Sequence, residues 1–204
     1  MTNDELYAAS RDGLYVDEAV ADCQFHHKKL AEYLERCVFV CPHCGLAHFE
    51  SHGDTLTCLG CGKSAKYLPT KEFDGAFGFR FVNDWYEYQK SYVNQMDTRE
   101  YLDKPLFEDT ANLFEVLVYD RKVPLQENMH MAMYGDRIVL GDEILSFADI
   151  STITVCGKNK LNIYHGKQLY QIKGDKRFNG LKYMMLFYRS KNIEKGEGDE
   201  FLGI

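Results

Sequence analysis

The sequence predicts an α+β protein, with N-terminal helices, a small cysteine ribbon, and an antiparallel β-rich domain closed by a C-terminal helix. Three observations predict it. Four cysteines fall in two C-x-x-C pairs, Cys41/Cys44 and Cys58/Cys61, with 13 residues between the pairs. From Leu113 onward, short alternating runs are separated by Gly, Asp and Asn turns, the period of half-buried strands. Helical spacing then returns at Phe178, Leu181, Met184, Met185 and Tyr188.

Residues 1–36 form the expected helical segment. Asp4 is the cap candidate, Gly13 breaks the pattern, and Leu30, Tyr33, Leu34 and Cys37 recur at helical spacing beyond it. Residues 37–70 hold the ribbon. Two residues between paired cysteines let both sulfurs reach one ion, and Gly45 and Gly62 follow each pair where a tight turn is needed. The intervening stretch suits a hairpin that brings the second pair opposite the first. Four thiolates from Cys41, Cys44, Cys58 and Cys61 close a tetrahedral site, the pattern of structural zinc. Such a site has no open position for substrate, so the expected role is a staple for a segment too short to fold by apolar burial. His43, His48 and His52 lie in the same stretch and are read as exposed or hydrogen-bonded bystanders.

Residues 71–110 carry the aromatic loop FDGAFGFRF and a linker helix from about Asn83, with Trp85, Tyr88, Tyr92 and Met96 on one side as an anchor for the ribbon. Residues 111–204 carry six or seven strand runs, from LFEVLVYD to QLYQIKG, and the closing helix. Strands first and one helix last is a pleckstrin-homology-like order, with the helix covering one face of a bent sheet.

At 204 residues, with 45% hydrophobic and 27% charged residues, the chain can bury a core, which argues against wholesale disorder. The start MTNDELY is not a secretory signal and no apolar run is long enough to cross a bilayer, so the expected location is cytoplasmic, or peripheral at the inner membrane face. Reduced cysteines fit that compartment, and Cys23, Cys37 and Cys156 are expected to pack as small buried hydrophobes. The net charge of −7 argues against a nucleic-acid binder, and the ribbon has only Lys63 and Lys66 against Glu50 and Asp54. One local stretch is basic. Between Lys158 and Lys191 there are nine Lys or Arg against Asp175 alone, and Lys158, Lys160, Lys173, Lys176 and Arg177 are candidate anion or lipid ligands. No Walker A loop, G-x-S-x-G or H-E-x-x-H occurs, so no catalytic residue is assigned.

The segments LAEYLERCVFVCPHCG, SHGDTLTCLGCGKSAKYLP, FVNDWYEYQ and IYHGKQLYQIKGDKRFNGLKYMMLFY, together with the ending EFLGI, resemble the C-terminal extension of some Firmicutes proteins of the 1-acyl-glycerol-3-phosphate acyltransferase family. The resemblance implies an accessory role in bacterial phospholipid synthesis beside an acyltransferase domain; the alternative reading is a protein-interaction or oligomerisation module, with FDGAFGFRF docking to that domain or to a second copy of the chain. The resemblance implies no catalysis by this chain. The family's catalytic pair is a His with an Asp five positions later, and none of the seven histidines has one.

Overall fold

The computed structural model describes residues 2–14, 24–117 and 121–196. Helix α1 spans Asn3–Leu14 and is entered through Thr2, whose hydroxyl accepts from the Glu5 N–H while the Glu5 carboxylate accepts from the Thr2 N–H. Thr2 rather than Asp4 is therefore the cap, a reciprocal box that satisfies two donors at once. Among the described residues no second N-terminal helix forms. Residues 24–37 are turns and a short 3₁₀ segment, Leu34–Arg36, because tertiary bonds hold the backbone: Ala31 N–H donates to Gly53 O, and Tyr33, at φ +74°, donates to the Ser51 hydroxyl. Of the residues at that spacing, Leu34 is half-buried against the ribbon core and Cys37 is exposed.

Strands β1 (Val40–Cys41) and β2 (Gly45–Leu46) pair across the first cysteine turn. Strands β3 (Phe49–His52), β4 (Thr55–Cys58), β5 (Ser64–Tyr67) and β6 (Phe73–Gly75) follow as an antiparallel sheet in chain order. Helix α2 (Val82–Gln95) then lays Trp85 into this sheet. The indole is fully buried, with Phe73, Phe77, Phe79 and Phe49 around it at 4.7–5.4 Å between ring centroids, and its N–H donates to Val40 O at 2.8 Å. Three of the four rings of FDGAFGFRF, Phe73, Phe77 and Phe79, thus pack into the ribbon's own core, while Phe81 lies against the Arg80 guanidinium.

The large sheet comprises β7 (Phe107–Val116), β8 (Lys122–Met133), β9 (Arg137–Leu140), β10 (Glu143–Ser146), β11 (Ile150–Val155), β12 (Lys160–His165) and β13 (Gln168–Lys173). Its order is β10-β9-β8-β7-β13-β12-β11, every pair antiparallel, so the first four and the last three strands meet where β7 pairs with β13. Helix α3 (Gly180–Lys195) closes it, which is the expected α+β arrangement. The helix buries more than one stripe, with Tyr183, Met184, Met185, Leu186 and Phe187 all in the core. It packs on β11 and also meets α2 and the 3₁₀ turn Thr98–Tyr101. Among the described residues no helix is long and apolar enough to cross a membrane.

Asn179 joins the two layers. Its carbonyl oxygen caps α3 by accepting from Lys182 N–H, and its amide donates to Glu35 O and Val38 O at 2.9 and 3.1 Å. Asn179→Ala removes the cap and leaves two carbonyls unanswered, so chemical denaturation should show a loss of about 2 kcal/mol. Asn179→Ser, which keeps an acceptor for the cap and places no charge against the two carbonyls, should recover part of it.

Candidate metal centre and its surroundings

The hairpin β3–β4, in register Phe49↔Cys58 to His52↔Thr55, folds the second cysteine pair onto the first. Gly45 and Gly62 take φ +80° and +73°, the left-handed conformation that lets each turn close. Cys41 and Cys58 are buried while Cys44 and Cys61 face outward. The Cys41 and Cys61 sulfurs lie 3.7 Å apart, those of Cys44 and Cys58 3.6 Å, and all four lie within 4.8 Å of one another. A disulfide needs about 2.05 Å. Four sulfurs each about 2.3 Å from one tetrahedral ion would stand about 3.8 Å apart, and the observed spacing matches that.

Backbone N–H groups point at the sulfurs as well, His43 N–H to Cys41 at 3.5 Å and Lys63 N–H to Cys61. That second bond holds the Cys61 thiol down, whereas burial pushes Cys41 and Cys44 up. Four thiolates this close repel one another unless a cation sits among them, so the residues fit a metal ion.

The three ribbon histidines are engaged elsewhere. His43 bonds Ala76 O at 2.7 Å, His52 pairs with Glu50 at 3.1 Å, and His48 packs edge-on to Phe107 with ring centroids 5.3 Å apart. Burial, and then the nearby Lys182 ammonium, push the His48 pKa down. The remaining cysteines differ from expectation. Cys37 is exposed, because the turn that replaces a helix there points it outward, and Cys156 is half-buried at the end of β11. Cys23 lies outside the described residues.

The basic candidates divide into two groups. Arg177 is committed internally: its guanidinium donates to Glu35, to Ser51 O at 2.7 Å and to Glu32 at 3.2 Å, tying the loop before α3 to the ribbon. The Ser51 hydroxyl also donates to Glu35, and Arg36 donates to Lys176 O at 2.7 Å. By contrast, among the described residues no carboxylate pairs with Lys158, Lys160, Lys173 or Lys176. Lys160 and Lys173 are direct cross-strand partners, so two like charges share one face at the end of the β12–β13 pair.

A buried ion pair lies between ribbon and sheet. Lys182, 3% exposed, donates to Asp109 at 2.6 Å, and the Tyr183 hydroxyl donates to the same carboxylate at 2.6 Å. Burial lowers the Lys182 pKa and raises that of Tyr183. Sequence reading missed both partners, although Lys182 sits four residues from Phe178 and from Leu186 on an otherwise apolar face.

No known protein-family model matches the sequence, and no curated protein matches it. Among solved structures, the N-terminal PH domain of human ARAP2 is similar over 43% of this chain and 81% of that one, at 12% identity and TM-score 0.33. A structure of Vav1 bound to an allosteric inhibitor is similar over 54% of this chain and 25% of that one, at 9% identity and TM-score 0.35.

Proposed function

We propose that the chain is a non-catalytic docking module: a zinc-stapled ribbon beside a β domain whose lysine-rich end binds an anionic surface. The supporting observation is the Lys160–Lys173 pair, flanked by Lys158 and Lys176. Opposed like charges cost stability unless an anion answers them, and each lysine near an anionic leaflet gains about 1 kcal/mol. Zinc is the ion proposed for Cys41, Cys44, Cys58 and Cys61, since four thiolates in a closed tetrahedral set favour it. The resemblance to acyltransferase extensions adds the enzyme this module would serve, a lipid acyltransferase held at its membrane.

Flotation with vesicles containing about one-third phosphatidylglycerol should show binding that weakens steeply with salt. Lys160→Glu/Lys173→Glu should abolish it. Salt-independent binding, or binding unaffected by the double substitution, would sink the reading.

A second reading, self-association or a protein contact, rests on Leu117, Val123 and Leu125, which are 37–45% exposed along the far ends of β7 and β8. Sedimentation that finds a monomer at all concentrations, with no binding to an acyltransferase domain, would remove it.

A further inference from the structure

Where the ribbon meets the sheet there is a cleft of about 490 Å³, with His48 on the ribbon side and Thr110, Asn112, Asn128 and Lys173 on the sheet side. Asp109 also lines it, held in place by the buried Lys182–Tyr183 contacts. Clefts between two folded units, with fixed polar groups converging in them, are favoured sites for small ligands.

Apart from Lys173, the charged side chains lining the cleft are already engaged among the described residues. Arg177 is neutralised by Glu35 and Glu32, Asp109 by Lys182, and Glu50 faces His52. Asp175 accepts from Arg177 N–H. Away from Lys173 the cleft is therefore polar without being electropositive, which suits hydroxyl groups better than phosphate. Among the described residues, several hydrogen-bonding groups there have no partner. Asn112 uses its carbonyl oxygen on the Asn128 N–H and keeps its amide donors, and Thr110 is exposed. Lys173 lines the same cleft, and Lys160, its cross-strand partner, is the next cation beyond the lining.

From this juxtaposition we infer that the cleft binds a polyol phosphate, with the phosphate on Lys160 and Lys173 at the rim and the hydroxyls on Thr110, Asn112, Asp109 and His48 inside. The inference rests on the docking reading and names the chemistry that the lysine pair would select. The ligand can come from an anionic lipid whose headgroup carries hydroxyls or from a soluble sugar phosphate.

Titration calorimetry with the full chain, using glucose 6-phosphate, glucose and inorganic phosphate as probes, separates the two halves of the ligand. Glucose 6-phosphate should bind at least tenfold more tightly than either glucose or phosphate. Lys173→Ala should weaken it about tenfold and Thr110→Val several-fold, with the chain still folded because both side chains are exposed. Inorganic phosphate binding as well as glucose 6-phosphate would overturn the inference, as would signals unchanged in both variants. The lipid arm compares vesicles of phosphatidylglycerol with vesicles of phosphatidic acid at equal surface charge. A preference for phosphatidylglycerol that Thr110→Val removes supports the lipid source. Equal binding to both, with no soluble binding, leaves docking standing and overturns the cleft. Soluble binding without any vesicle binding keeps the cleft and removes the docking reading.

Discussion

Stripping the metal from the native protein with a strong chelator should unfold the ribbon and leave the β domain folded. The expected content is about one zinc per chain, and the free energy at stake is large, since apparent binding energies at structural zinc sites are about 10–16 kcal/mol. The only tryptophan, Trp85, is the natural reporter, because it is fully buried in the ribbon core and its N–H bonds Val40 O, next to Cys41. Its emission should move to longer wavelength as the metal leaves and return when zinc is restored. Cys58→Ser, which removes a buried ligand, should give the same spectrum without chelator. The β domain should persist, because its core, which includes Met131, Ile138, Leu140, Ile163, Leu186 and Phe187, is built on strands and a helix outside the ribbon. A metal-free protein with unchanged Trp85 emission would show that the aromatic cluster holds the ribbon without help.

The ribbon was legible in the sequence because its physics is local. Two C-x-x-C turns, two glycines and a hairpin of fixed length leave few ways to fold, and the sulfur spacing of 3.6–3.7 Å follows from them. The strand runs were legible for the same reason, down to an all-antiparallel sheet and a closing helix. The start of β7 was not. Phe107, Asp109, Ala111 and Leu113 alternate inward, but Asp109 breaks the apolar pattern, as Lys182 does on α3. Each charge looks solvated until the other is placed against it, and only the tertiary fold places it. The segment around Leu34 failed in the opposite way. Its apolar spacing is real, yet contacts with Ser51 and Gly53, distant in sequence, decide its backbone. Arg177 belongs to this class too. In a basic run it reads as one more surface cation, and its true partners lie 126 to 145 positions earlier.

Removing the Arg177 guanidinium should therefore damage the joint between ribbon and sheet more than it alters surface charge. Arg177→Met strands Glu35, which is 3% exposed and, among the described residues, would keep the Ser51 hydroxyl as its one remaining donor. Leaving one member of a buried pair uncompensated costs about 3–5 kcal/mol, and the lower end applies because Arg177 is itself 27% exposed. Adding Glu35→Gln to Arg177→Met removes the stranded charge, so the double variant should be more stable than Arg177→Met alone. That non-additivity measures the pair, and about 1–3 kcal/mol is expected for groups in direct contact. The loss should also be visible as a loss of cooperativity. With the joint intact, Trp85 emission in the ribbon and the far-ultraviolet signal of the β domain should report one urea transition. In Arg177→Met the Trp85 transition should come first, because the ribbon no longer shares the stability of the sheet. Coincident transitions with a loss below about 1 kcal/mol would assign the joint to Asn179 and the packing around it, with Arg177 a minor partner.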